Sequence, residues 1–528
     1  MTDPALLAAA AQSRAALAAG QGDAYDLAIV ALAHSAAGEF DQADVLFDRA
    51  LAMEPGNPST LTSLAIHRRR QGRVRDAVLA CDAAIRAYPG YPDAWLERAS
   101  ILASGGSLAA ARDSYRQAAR IAPDHAAAHA GLAALSAREG DHGAARQHAE
   151  AALARDAANP MAITALARAE LADGELHGAE RRLHALLAGL AIASLDRSMG
   201  HSALGDVYDR LGEPDQAHHH YAAAKADFAA LHADQAAPGF DQYRFVDGLA
   251  AGLRATSAAD WPPVAATQPP LAPPRHIFLM GYPRSGTTLV ENILASLPGV
   301  FALEERPTLA RVDADHILGP PETVAAGVAR FAALAPDQLD TYRRAYWHGV
   351  AESGMPAGTA AFVDMDPLKG TRLPFIARLF PDARILVMRR DPRDVVWSCF
   401  RTNFAMGSGT LEYTTLDRAA RHYAALMGLM DHAFAILPVQ VHAVAYHRLV
   451  RDFDAETRAM CAFAGLEWNE SVRRFDRTAA QRGTSTASVG QVRRGLYDGT
   501  GQWRPYARYL EPVLPILQPW IDRFGDPD

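Results

Sequence analysis

The stretch HIFLMGYPRSGTTLVENIL, residues 276–294, decides the fold class of the C-terminal half. An apolar run, Ile277 to Met280, leads into Gly281-Tyr282-Pro283-Arg284-Ser285-Gly286-Thr287-Thr288, and an amphipathic helical pattern follows. This order predicts a strand, a tight loop and a helix N-terminus, whose backbone N–H groups form a cradle for an anion. A P-loop of ATPases and kinases places lysine after its second glycine to reach the β and γ phosphates. Here that position is Thr287, so the expected ligand is a phosphate compound that does without that lysine.

Working outward from 276, apolar strands alternate with helices, the pattern of an α/β domain with a mainly parallel sheet. A second strand, turn and helix lies at ARILVMRRDPRDVVWSCFRTNF, residues 383–404. Ile385 to Met388 read as the strand, Asp391 and Pro392 as N-cap and first helical residue, and Asp394 as the acidic partner of a capping box. Arg389 and Arg390 are thereby expected at the C-terminal end of a strand, where open α/β sheets bind ligands. Arg284, Thr287 and Thr288 offer one set of anion donors, and Arg390 with Ser398 a second. Two separated phosphate groups are implied, and no metal is required to neutralise them.

The chain has 528 residues, enough for more than one domain, and a formal net charge of −8, which argues against a nucleic-acid or anionic-membrane surface. Cys81, Cys399 and Cys461 match no zinc or disulfide spacing, which predicts a reducing, cytoplasmic setting. The N-terminal run is broken by Arg14, well short of a membrane span, and reads as an Ala-rich helix over 1–21.

Upstream of the α/β pattern the sequence repeats. Gly38, Gly72, Gly106, Gly140 and Gly174 lie 34 residues apart, as do Ala43, Ala77, Ala111, Ala145 and Ala179; Pro55, Pro89 and Pro123 keep the same step. After a four-residue insertion the pattern returns at Gly212 and Ala217. Glycine suits the turn between two helices, alanine their close packing, and proline the stop after the second. This helix-turn-helix unit resembles the tetratricopeptide repeat, with Phe47, Tyr115, Leu183 and Tyr221 at its bulky second-helix position and the smaller Cys81 and Ala149 between them. About six units over 22–235 are expected, an all-α solenoid whose groove binds a peptide or protein, with dimerisation or a purely structural role as the alternative. The tract His218-His219-His220 reads as a solvated helix face, because adjacent helical positions diverge and cannot share one metal. One further amphipathic helix (240–256) and six prolines between 261 and 276 predict a linker over 236–275, ahead of the α/β domain at 276–528.

PRSGTTL followed about a hundred residues later by RDPRDVVWS resembles the phosphate loops of sulfotransferases that use 3′-phosphoadenosine 5′-phosphosulfate (PAPS), in particular the tyrosylprotein sulfotransferases and bacterial proteins that join tetratricopeptide repeats to such a domain. The resemblance implies a PAPS-dependent sulfotransferase with a P-loop-like fold. By it, Arg284, Ser285, Gly286, Thr287 and Thr288 hold the 5′-phosphosulfate, and Arg390 and Ser398 the 3′-phosphate. VAYHRLV (444–450) resembles the family's V-x-Y-E-x-L segment, which places Tyr446 near the nucleotide and leaves His447 where the family has an acid. Residues 488–506 resemble the segment that covers the nucleotide, with Ser488 at the family's serine and Gln502 where a basic residue is common. Arg493, Arg494 and Arg504 are candidates to replace that charge.

Transfer to a hydroxyl needs a base and positive donors for the leaving oxygen. By resemblance to the family's Glu-Glu-x-Arg segment, Glu305 of ALEERPTL (302–309) is the expected base, with Glu304 beside it and Arg306 near the acceptor. The family's Asp-Lys-x-Pro reads here Asp364-Met365-Asp366-Pro367, so its lysine is replaced by Met365; Lys369, four residues on, is the expected substitute. The acceptor implied is a tyrosine of a protein or peptide, brought by the repeat groove, with glycans and small alcohols as alternatives. Related enzymes suggest a homodimer. Two other classes stay open: a non-catalytic nucleotide-binding scaffold, motivated by Met365 and Gln502, and a P-loop phosphotransferase, disfavoured by Thr287.

Overall fold

The computed structural model describes residues 4–233, 241–264, 272–407, 409–482, 489–493 and 495–526; Ser488, Arg494 and two parts of the expected linker lie outside the described residues. The chain forms two compact units, Met1–Gly189 and Leu190–Asp528.

The first unit is all helical. After Pro4–Ala18 come five helix pairs: Ala24–Ala36 with Phe40–Met53, Pro58–Arg70 with Val74–Ala87, Pro92–Ser104 with Leu108–Ile121, Ala126–Glu139 with His142–Leu153, and Pro160–Asp173 with Leu176–Ala188. Asp23, Asn57 and Asn159 cap first helices by accepting a first-turn N–H. The repeated glycines sit between paired helices at φ of 75 to 84°. Ala43, Ala77, Ala111, Ala145 and Ala179 are fully buried, which lets the paired helices approach closely. Phe47, Tyr115 and Leu183 fill the space left between them. Pro55, Pro89 and Pro123 each follow two residues after the second helix ends.

The second unit is built on a five-stranded parallel sheet in the order β2-β3-β1-β4-β5, where β1 is Arg275–Met280, β2 Val300–Glu304, β3 Ala361–Met365, β4 Arg384–Arg389 and β5 Gln440–Ala445. The central strands are buried on both faces, so Ile277, Leu279, Val363, Leu386, Met388 and Val444 of the sheet form one core with Val290, Ile293 and Leu449 from the helices. Beyond β1 the chain turns toward β2 on one side, and beyond β4 toward β5 on the other. The loops after β1 and β4 therefore diverge, leaving a crevice at the carboxyl ends of these two strands.

A helix pair, Leu195–Leu211 and Pro214–Leu231, also belongs to this second unit; it carries Gly212 at φ 76° and the buried Ala217. The expectation of a solvated histidine face is corrected here. Only His219 is exposed: His220 is buried, and the His218 ring stacks on Tyr509 at 3.7 Å and 6°. The cause is packing, because helix Pro214–Leu231 lies against helix Pro392–Arg401 and the C-terminal segment. Lys225 Nζ donates to Thr402 O at 2.6 Å across the first of these contacts. Among the described residues no helix is long and apolar enough to cross a membrane.

Candidate active site

The cradle begins where β1 ends. Gly281 N donates to Pro367 O at 3.1 Å and Ser285 N to Tyr282 O at 3.0 Å, so the chain folds back before helix Thr287–Ala295 starts. Glycine is required at both ends of the turn. A Cβ on Gly281 would stand 2.9 Å from Ser285 Oγ and 3.0 Å from Met388 O; one on Gly286, at φ 109°, would stand 2.9 Å from the Tyr446 ring. Ser285, Thr287 and Thr288 are buried at the helix start, where the first N–H groups have no intrahelical acceptor. Arg284 holds its side chain over this turn from a left-handed backbone, φ 69°.

The loop after β4 meets the cradle through hydrogen bonds. Arg284 Nε donates to Ser398 Oγ at 3.0 Å, and Arg390 donates to Arg284 O at 2.8 Å. The Arg390 guanidinium also donates to Gly499 O and lies 4.5 Å from the centre of the Tyr446 ring, while its buried Nε has no partner. Burial, then the nearby charges of Arg401 and Arg390, lower the Arg284 pKa to about 10, so it stays charged at neutral pH beside two like charges. An anion placed among them would relieve that repulsion. Helix Pro392–Arg401 is capped by Asp391, which accepts from Arg393 N at 2.8 Å and pairs with the Arg393 guanidinium.

Asp394 does not complete a capping box, contrary to the sequence reading. Its carboxylate instead accepts from Gly501 N at 2.8 Å and Trp503 N at 3.0 Å. Both amides come from the C-terminal segment, which competes successfully for an acid that local sequence would give to its own helix. That segment closes over Tyr446 and Arg390: Tyr446 OH donates to Tyr497 O at 2.9 Å, and a Cβ on Gly499 would stand 3.0 Å from Tyr446 OH. The unpartnered Arg390 Nε, the glycine clearances and the gathered guanidiniums fit a ligand carrying two phosphate-type anions. Among the described residues no group of three or more His, Cys, Asp or Glu is arranged to hold a metal.

Glu305 follows β2 on the same edge of the sheet. Its N–H donates to Met365 O at 2.7 Å, and its φ of 47° turns the chain sharply out of the strand. The residue is open to solvent, yet its carboxyl is hemmed in by protein: burial, with Asp366, Glu304 and Glu291 nearby, pushes it up to about 8. Glu291, on the helix after the cradle, is pushed up to about 7 by burial although Arg482 pairs with it at 2.7 Å.

Met365 is fully buried in the core, so no cation reaches the site from that position. Lys369 is buried too, and its ammonium is held in place: it donates to Asp364 Oδ1 at 2.7 Å, Thr308 Oγ1 at 3.0 Å and Arg306 O at 3.4 Å. Asp364 further accepts from Thr308 Oγ1 at 2.7 Å and Tyr346 OH at 2.9 Å. Lys369 thus ties the end of β3 to the loop that carries Glu305.

The structure brings Arg284, Ser285, Gly286, Thr287, Thr288, Arg390, Ser398 and Tyr446 together. Glu305 stands on the loop after β2, with β3 between it and β1, and Lys369 bonds that loop to the end of β3. Sequence reasoning missed Arg401, which donates to Gln502 Oε1 and so brings a positive charge to the position where the family often has a basic residue. Its i,i+3 spacing from Ser398 on one helix was the available signal. It also missed Asp364 and Thr308, whose spacing in the chain gives no sign that they share one lysine.

Comparison with known proteins agrees with this geometry. Residues 274–470 match the model described as Sulfotransferase family, and three overlapping stretches, 31–92, 62–126 and 96–160, match Tetratricopeptide repeat. A chain from Aquifex aeolicus described as an uncharacterized protein is 29% identical over 262 residues, 48% of this chain and 34% of that one. Protein-tyrosine sulfotransferase 1 of Danio rerio is 25% identical over 213 residues, 39% of this chain and 58% of its own, and protein-tyrosine sulfotransferase 2 of Gallus gallus 27% over 197 residues, 37% and 52%. The chain therefore spans between about a third and three-fifths of the length of these relatives. It joins tetratricopeptide repeats to a sulfotransferase-family domain with a five-stranded parallel sheet.

Proposed function

We propose that this sulfotransferase domain is PAPS-dependent and acts on a hydroxyl, with a tyrosine of a protein or peptide as acceptor and the repeats as the surface that recruits it. The observation that carries the reading is the junction of the two anion loops, Arg284 to Ser398 and Arg390 to the Arg284 carbonyl, at the divergence of β1 and β4. PAPS would supply the sulfuryl group and leave as adenosine 3′,5′-bisphosphate. The other work falls to this chain. Arg284, Thr287, Thr288 and the amides of the helix start neutralise the phosphosulfate end, while Arg390 and Ser398 take the 3′-phosphate and Tyr446 lines the space between. Glu305 receives the acceptor proton, and its raised pKa suits a base working near neutral to mildly alkaline pH. Lys369 is assigned to the loop of Glu305, which it orients through Thr308 and the Arg306 carbonyl. Three buried thiols favour a reducing, cytoplasmic setting.

A second reading, nucleotide binding without transfer, is favoured by the burial of Met365 and the full engagement of Lys369. Transfer of labelled sulfuryl from PAPS, without added metal, to tyrosine peptides and to a lysate separates the two. Label that is lost with Arg284→Ala and Glu305→Ala supports the enzyme. Calorimetric binding of PAPS with no labelled product would leave the scaffold.

A further inference from the structure

We infer that helix Leu195–Leu211 contributes to the nucleotide site through Asp209, a positioning residue which aims Arg401 at the bound phosphates. The inference rests on the nucleotide reading above. Asp209 sits in the last turn of its helix and has two partners from different parts of the unit. Its Oδ2 lies 3.4 Å from Arg401 Nη1, and its Oδ1 accepts a hydrogen bond from the Tyr506 hydroxyl. Arg401 is largely buried on the Ser398 helix, and its other terminal nitrogen donates to Gln502 of the covering segment. It lies one turn from Ser398, which accepts from Arg284 Nε at 3.0 Å, so it stands as the third guanidinium beside the anion site.

Tyr506 binds the covering segment to the same place. It is buried, with its ring stacked on Trp397 at 3.8 Å and 22°, next in sequence to Ser398. One carboxylate thus fixes a cation and the segment that covers it. A neighbouring contact offers a control: Asp215, in the partner helix, accepts from Tyr509 OH at 3.0 Å but does not touch Arg401. Loss of Asp215 loosens the segment alone, and loss of Asp209 frees the guanidinium as well.

The sign of the effect distinguishes positioning from simple charge. A carboxylate near an anion site repels the anion, so by charge alone Asp209→Asn would bind nucleotide more tightly. Positioning predicts the reverse, because an unanchored Arg401 must be ordered by the ligand.

The test is calorimetric titration of adenosine 3′,5′-bisphosphate into the full chain, with steady-state transfer from PAPS measured alongside. Asp209→Asn is expected to weaken bisphosphate binding and raise the KM for PAPS about tenfold, roughly the loss of one charged hydrogen bond, with kcat within about twofold of wild type. Asp209→Glu should recover most of the affinity, and Asp215→Asn should change it less than about twofold. Unchanged or tighter binding by Asp209→Asn, or an equal loss with Asp215→Asn, overturns the inference while wild-type binding upholds the nucleotide reading. Failure of the wild-type chain to bind the bisphosphate overturns that reading and this inference with it. Should Asp209→Asn melt early, Arg401→Gln serves as the second variant and must show the same rise in KM.

Discussion

The repeats and the α/β unit treat the left-handed backbone differently. Between the paired helices every such position is glycine: Gly38, Gly72, Gly106, Gly140, Gly174 and Gly212. In the α/β unit, two of them carry side chains instead, Arg284 and Glu305, and no other non-glycine among the described residues has positive φ. A side chain in this region costs about 1–2 kcal/mol. Where only a turn is needed glycine removes that cost, and where a charge must point into a crevice the surrounding fold holds the strained residue in place. The two exceptions are the proposed phosphosulfate arginine and the proposed base, on loops after β1 and β2, the two strands that flank β3.

Substitutions can break this contrast or sharpen it. The largest effect is expected at Glu305: Glu305→Gln should lower kcat by about 10²- to 10⁴-fold, the usual worth of a positioned base, in label transfer with saturating PAPS. Lys369→Ala, which leaves the buried Asp364 without its cation, should destabilise the second unit by about 3–5 kcal/mol in urea unfolding. The double change Lys369→Met with Asp364→Asn should recover much of it. If Lys369→Ala instead unfolds normally but transfers no label, Lys369 acts on substrate and the loop-holding role is wrong. Arg284→Gly relieves the strained φ and removes the charge together, so transfer should fall about 10²- to 10³-fold while thermal stability holds or rises. Smallest is Gly140→Ala, whose Cβ would meet nothing within 4 Å. Only the backbone term is lost there, about 1 kcal/mol, read by urea unfolding of the repeats.

The pH dependence of Glu305 sharpens the same comparison. A base must be ionised, so kcat should rise with pH through about 8 and the rising limb should vanish in Glu305→Gln. Stability carries the opposite sign. The folded carboxyl titrates higher than the unfolded one, so its contribution is complete below the unfolded value near ~4.3 and is lost as pH rises through about 8. Glu305→Gln should therefore gain stability relative to wild type across that window, measured by urea midpoints at successive pH values.

Much of the architecture is written locally. A period of 34 residues with glycine and alanine at fixed steps specifies the helix pairs, because each turn and each close contact is made by residues near in sequence. The strand, glycine loop and helix at 276–294 likewise specify the cradle, since a turn that tight admits few residues at Gly281 and Gly286. What sequence did not decide were the partners of charged groups. Asp394 reads as a helix cap and serves amides more than a hundred residues away, and Lys369 reads as a candidate for the phosphosulfate yet bonds to Asp364 and Thr308. His218 reads as solvated and stacks on Tyr509. Periodicity and turn chemistry depend on neighbours along the chain, so the sequence alone determined the repeats, the parallel α/β pattern and the two strand-loop-helix turns proposed to bind anions. Which buried charge meets which, and hence the setting of Glu305, Lys369 and Arg401, depends on groups brought close only by folding, and the tertiary structure decided it.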